Sequence, residues 1–125
     1  MAFVAATLAV ASAAHLSGHV HGRSAPYDAD HAGIAEAIIC AVLVYGAATV
    51  RGASARARPV GLVATGFAII GFVVGLNFTA RGGHLPDVAY HVTLLPVLVA
   101  LFVTLLRARP TNHPASAESV AEKLH

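Results

Sequence analysis

The sequence predicts an all-α membrane protein: an antiparallel four-helix transmembrane bundle, up-down-up-down, with both termini cytoplasmic. Three observations predict it. Four apolar segments each approach the roughly 20 residues that cross a bilayer core of about 30 Å. Hydrophobic residues make up 57% of the 125-residue chain and charged residues only 11%, against about 25% charged in an ordinary soluble domain. The arginines sit in the joints between segments and favour alternate joints. With a mean hydropathy of +0.72, the solvent for much of the chain is lipid.

The segments are residues 1–20, 31–50, 60–79 and 88–106. Together they define a transmembrane domain over 1–106, followed by a polar cytoplasmic tail over 107–125. Helices are expected because each backbone N–H and C=O must be satisfied without water. The alternating pattern of β-barrel strands is absent. The first segment contains "LAVASAAH", which offers a signal-peptide-like cleavage site. Residues 1–8 hold no Lys or Arg, so a retained, slightly short helix is expected, with cleavage as the alternative.

The joints carry turn and helix-start signals. "HGRSAPYDAD" (21–30) combines Gly, Pro and Asp, and Asp30 is a candidate N-cap for the second helix. "RGASARAR" (51–58) precedes Pro59, and "RGGHLPD" (81–87) contains Pro86. Proline is favoured in a helix's first turn. Pro96 interrupts the fourth segment and predicts a kink.

Orientation follows from the basic residues. Arg51, Arg56 and Arg58 lie in the second joint, and Arg107, Arg109 and Lys123 follow the fourth segment. The other joints hold only Arg23 and Arg81. Lys and Arg concentrate on the cytoplasmic side, so loops 21–30 and 81–87 are expected outside, in a plasma membrane. The basic residues lack interleaved aromatics, which argues against a nucleic-acid partner. A single cysteine, Cys40, excludes an intramolecular disulfide.

This topology gathers polar residues at the outer side. Six of the eight histidines fall in that half: His15, His19, His21, His31, His84 and His91. Asp87 and His91 stand four residues apart, on one helix face. With His31 and His84 they form a candidate metal site, since imidazole and carboxylate suit transition metals. Two facing imidazoles would alternatively ligate haem b. The plainer reading gives Asp87 a helix-dipole role and His91 a hydrogen bond to Asn77 or Glu36. Glu36 lies about 7–8 Å below His31 at 1.5 Å per residue. A carboxyl within a membrane helix is paired, protonated or functional. Glu36 and Asn77 are therefore the intramembrane polar residues to place.

Two small-residue strips are expected to pack helices closely: Gly71, Gly75 and Thr79 on the third segment, and Gly33, Ala37 and Ala41 on the second. They can pack inside the bundle or between copies.

The stretches "AGIAEAII" (32–39) and "GFVVGLNFTARGGHLPDVAYHVTLLP" (71–96) resemble small four-helix integral membrane proteins of high-GC actinobacteria. The resemblance covers the second to fourth segments. It implies a membrane location and a shared helix arrangement, and carries no catalytic or binding residue.

No catalytic motif is visible, so the sequence leans away from an enzyme. Three functions remain. The first is a non-enzymatic accessory protein in a homo-oligomer or a larger membrane complex. The second is a metal- or haem-binding protein using the outer His/Asp group. The third is a proton-coupled carrier of a small solute centred on Glu36.

Overall fold

Each helix ends for a local reason. The computed structural model describes residues 1–108, so the tail beyond them, with His113, Lys123 and His125, lies outside the described residues. Helix α1 spans Ala2–Leu16. It stops because Gly18 takes a left-handed conformation, φ +72°, which glycine adopts without steric cost. Helix α2 spans Ala29–Arg51. Its N-cap is Asp28, not Asp30: Asp28 has extended backbone, and its carboxylate accepts the amide of His31 at 3.1 Å. Asp30 instead lies in the first turn, where an acid favours the helix dipole. Helix α3 spans Ala57–Gly82, with Pro59 in its first turn. Helix α4 spans Leu85–Arg107, with Pro86 at its start, and continues through Pro96.

The first segment is shorter than the sequence suggested. Fifteen residues of α1 rise about 22 Å at 1.5 Å each, less than a bilayer core. The other three helices are long and apolar enough to cross a membrane. Residues 17–28 form an irregular connection that turns back onto the bundle. Its backbone docks on the end of α3, where the amides of Arg23 and Ser24 donate to the Gly82 carbonyl at 2.7 and 3.3 Å.

The helices pack in chain order. Cys40 of α2 donates to the Ala5 carbonyl of α1, and Ser12 donates to the carbonyl of Gly33. Gly71 of α3 faces Ile39 of α2, and Gly46 faces Ala64. Arg58, at the start of α3, donates to the carbonyls of Leu105 and Leu106 at 3.1 and 2.9 Å. A cation thereby meets the negative end of α4. Val4, Leu8, Leu43, Phe72 and Leu98 form a core drawn from all four helices. The outward faces remain apolar: Ile38, Val44, Val63, Ile70 and Val92 are all more than half exposed. Such a surface is costly in water and neutral in hydrocarbon.

The two small-residue strips have different fates. Gly71 and Gly75 are close-approach positions, the first against Ile39 and the second against the His91 ring. Thr79 is buried, and its hydroxyl returns to the Gly75 carbonyl. On α2 only Gly33 is inward, against His15 and Leu16. Ala37 and Ala41 are exposed. The buried stripe of α2 is instead Gly33, Glu36, Ile39, Leu43 and Gly46. A strict four-residue step drifts around a helix of 3.6 residues per turn, whereas mixed steps of three and four hold one face.

Two predictions concern this packing. A Cβ on Gly82 would strike the Ser24 carbonyl, which belongs to the docked connection. Gly82→Ala should therefore cost about 1–3 kcal/mol, read as a lower midpoint in reversible unfolding in mixed micelles. Gly66→Ala, whose Cβ would meet only Phe102 at 3.5 Å, should be neutral or slightly stabilising in the same assay. The second prediction concerns the exposed Asp28 cap. The amide of His31 holds the Asp28 carboxyl below its ordinary value. The cap's contribution is thus complete above the ordinary carboxylate value and disappears as pH falls through the lowered one. The midpoint difference between wild type and Asp28→Ala should follow that course, larger at neutral pH and shrinking in acid.

Candidate functional site

Glu36 is buried on the inner stripe of α2, and its partner is His15. The His15 Nδ1 to Glu36 Oε2 distance is 2.8 Å, with side chains only 3% and 7% exposed. α1 delivers His15 because Val4, Leu8, Ser12 and His15 share one buried stripe. The absence of a side chain at Gly33 leaves room for His15 and Leu16 against α2.

The other face of the imidazole continues the chain of contacts. His15 Nε2 lies 2.8 Å from the Tyr27 hydroxyl, and that hydroxyl lies 2.9 Å from Asp87 Oδ2. His15 Nε2 also lies 3.5 Å from the same carboxylate oxygen. Four groups from α1, α2, the 17–28 connection and α4 are thereby joined as Glu36–His15–Tyr27–Asp87. Burial first, and then the hydrogen bond to Asp87, push the Tyr27 phenol well above its ordinary value. Tyr27 thus stays a neutral hydroxyl that can both donate and accept.

The chain of contacts borders a cavity of about 360 Å³, within the range of about 300–1,000 Å³ typical of small-molecule sites. Leu8, Ile39, Phe72, Val74 and Phe78 give it an apolar wall. His15, Tyr27, Glu36 and His91 supply a polar side, and Asp28 and His31 also line it. Asp87 does not line it.

Two acceptors remain in this cavity. The Nδ1 of His91 lies 2.9 Å from the backbone carbonyl of Asp87. A carbonyl only accepts, so Nδ1 carries the proton and neutral His91 presents a lone pair at Nε2. Glu36 uses Oε2 for His15 and keeps Oε1. Neither Oε1 nor Nε2 bonds another described side chain. Among the described residues no enclosed side-chain nitrogen or oxygen lacks a partner, so these two atoms are open to the cavity.

The four residues expected to hold a metal have different surroundings. His31 is 83% exposed at its side chain and pairs with Asp28 at 3.3 Å. His84 precedes α4 as its N-cap residue without a side-chain capping bond. Asp87 and His91 do share a face of α4, but the Asp87 carboxylate turns to Tyr27 while His91 bonds its backbone. Among the described residues no group of three or more His, Cys, Asp or Glu is placed to hold a metal ion. Both ring nitrogens of His15 are occupied by hydrogen bonds, which removes the lone pair a metal needs. Asn77 lies on the exposed side of α3 and takes no part.

His15 and Tyr27 are the residues that spacing alone did not single out. The available signal was a histidine inside an apolar segment, as informative as Glu36 inside another. Nothing comparable marked Tyr27, because its place depends on how the 17–28 connection folds.

The buried pair gives a stability prediction. His15→Leu leaves Glu36 without its donor and should cost about 3–5 kcal/mol. Adding Glu36→Leu should recover most of that loss, since the buried acid is then gone. Unfolding of the two single variants and the double variant in mixed micelles measures the coupling.

Comparison with known proteins finds no matching family model, no matching curated protein and no matching solved structure.

Proposed function

We propose that the protein is a multi-pass protein of the plasma membrane that binds a small, mainly apolar solute with a cationic or hydrogen-bond-donating head, and that binding is linked to protonation at Glu36. In this reading it is a proton-linked binding or carrier protein and not an enzyme. The observation that carries it is a buried carboxylate with one oxygen held by His15 and the other open to an apolar cavity. Ionisable groups at membrane depth are costly and are found where ions or substrates are handled. Glu36 Oε1 and His91 Nε2 are both acceptors, which selects a ligand that donates.

The membrane arrangement in this reading is up-down-up-down, with both termini cytoplasmic. The arginine bias supports it: Arg51, Arg56, Arg58 and Arg107 fall at one end of the bundle and only Arg23 and Arg81 at the other. The cavity then lies toward the outer face. The accessory-subunit reading draws less support, because Gly33, Gly71, Gly75 and Thr79 of the two strips are used within the bundle, which leaves only Ala37 and Ala41 of them exposed.

The test uses 2-phenylethylamine as probe, titrated into protein held in lipid nanodiscs without a His-tag. Saturable binding that strengthens as pH rises from acid toward neutral is expected, as the acceptor side of the cavity loses protons. Glu36→Gln should weaken it by about ten- to a hundredfold, the loss of one charge-assisted hydrogen bond of about 1.5–3 kcal/mol. Binding that is not saturable, or that is indifferent to Glu36→Gln, overturns the reading.

A further inference from the structure

Glu36, His15, Tyr27 and Asp87 form three consecutive short links: 2.8 Å, 2.8 Å and 2.9 Å. Each link needs one proton to be a hydrogen bond. Neutral histidine and tyrosine supply two. A third must come from an added proton, because ionised carboxylates only accept. The chain with every link satisfied therefore carries three protons and one net negative charge.

That extra proton has three homes. With Asp87 protonated, Asp87 donates to Tyr27, Tyr27 to His15 Nε2, and His15 Nδ1 to Glu36. With the extra proton on His15, the imidazolium donates to Glu36 and Tyr27, and Tyr27 donates to Asp87. With Glu36 protonated, Glu36 donates to His15 Nδ1, His15 Nε2 donates to Tyr27, and Tyr27 donates to Asp87. All three arrangements use the same heavy-atom positions. They differ only in which side of each link holds the proton.

The two ends of the chain open to different places. Asp87 lies in the first turn of α4, its side chain 15% exposed, and does not line the cavity. Glu36 is more deeply buried and does line it. We infer that Glu36, His15, Tyr27 and Asp87 form a proton relay that carries a proton between the end of the bundle and the carboxylate in the solute cavity.

The transfer balances atom by atom. The Asp87 proton moves to the Tyr27 oxygen, the Tyr27 proton to His15 Nε2, and the His15 Nδ1 proton to Glu36 Oε2. Three bonds to hydrogen break and three form. One proton equivalent leaves Asp87 and one arrives at Glu36. Tyr27 ends neutral with its hydrogen on the Asp87 side, so no tyrosinate is required.

The ionisable groups around the chain are few. His91 of α4 faces the cavity beside it. Asp28 and His31, at the start of α2, pair with each other and line the same cavity. No Lys or Arg lines the cavity. The extra proton is thus shared among groups of the chain itself and is not displaced by a fixed cation there. This inference names how the proton in the solute-binding reading reaches Glu36, and it rests on that reading only for its purpose.

The test is a pH jump from neutral to acid on full-length protein in nanodiscs, followed by time-resolved infrared spectroscopy. The carboxylic-acid carbonyl band of Glu36 is identified by its loss in Glu36→Gln. Asp87→Asn and Tyr27→Phe should slow the rise of that band by about a hundredfold, the scale of losing a positioned proton donor. Asp87→Glu, which keeps the carboxyl, should stay near the wild-type rate. Equal rates in wild type and Asp87→Asn overturn the relay, because protons then reach Glu36 through the cavity. If only Tyr27→Phe is slow, the relay is overturned as well, since packing and not the Asp87 link then sets the rate. Probe binding without a relay, or a relay without probe binding, separates the fate of this inference from that of the solute reading.

Discussion

A carboxyl on the inner face of a membrane helix sets the terms for the rest of this bundle. Glu36 is only 6% exposed, and an ionised carboxylate so placed needs a donor within hydrogen-bond reach. The donor comes from α1, at His15, which fixes the register of α1 against α2. Ser12, nearly one turn earlier, then reaches the Gly33 carbonyl, and Gly33 itself makes room for His15. One polar requirement thereby selects the helix partner, the depth at which the two helices meet and the small residue at the crossing.

The same requirement reaches the connection between α1 and α2. The far nitrogen of His15 meets Tyr27, and Tyr27 is held because the preceding backbone docks on Gly82 of α3. Tyr27 in turn reaches Asp87 of α4. An exposed turn is thus drawn into the bundle's polar interior, and all four helices feel its position. Lipid offers apolar side chains as much as a neighbouring helix does, so apolar character alone would leave the helices free to rotate. Directional contacts and close approaches, such as Gly71 on Ile39 and Gly75 on His91, decide which faces turn inward.

Glu36–His15–Tyr27–Asp87 has a second property beyond cohesion. A structural ion pair is complete with two members, and His15 with Glu36 would suffice for packing. Tyr27 and Asp87 extend it toward the bundle's end, while Glu36 keeps one oxygen toward the cavity. In the proposed reading, the arrangement joins a binding site for a donating solute to a path for the proton that competes with it. Competition between a proton and a cation for one carboxylate is the simplest physical form of coupling, because each ligand lowers the affinity of the site for the other.

The sequence by itself determined the apolar character of the segments, the number of helices and the approximate course of each. Runs such as 60–79, turn and helix-start residues such as the Gly82–Gly83 pair and Pro86, and the arginine-bearing joints act through local or one-dimensional physics: helix rise against bilayer thickness, backbone sterics and capping. Glu36 was legible as costly for the same reason, since its burial follows from the segment it occupies. The tertiary structure decided its partner. Asp87 and His91 share a face as their spacing requires, yet one turns to Tyr27 and the other to a backbone carbonyl. Spacing along a helix fixes which residues share a face. Which side chain from another element fills the space opposite depends on helix rotation, register and the path of residues 17–28, and those are set only when the four helices pack together.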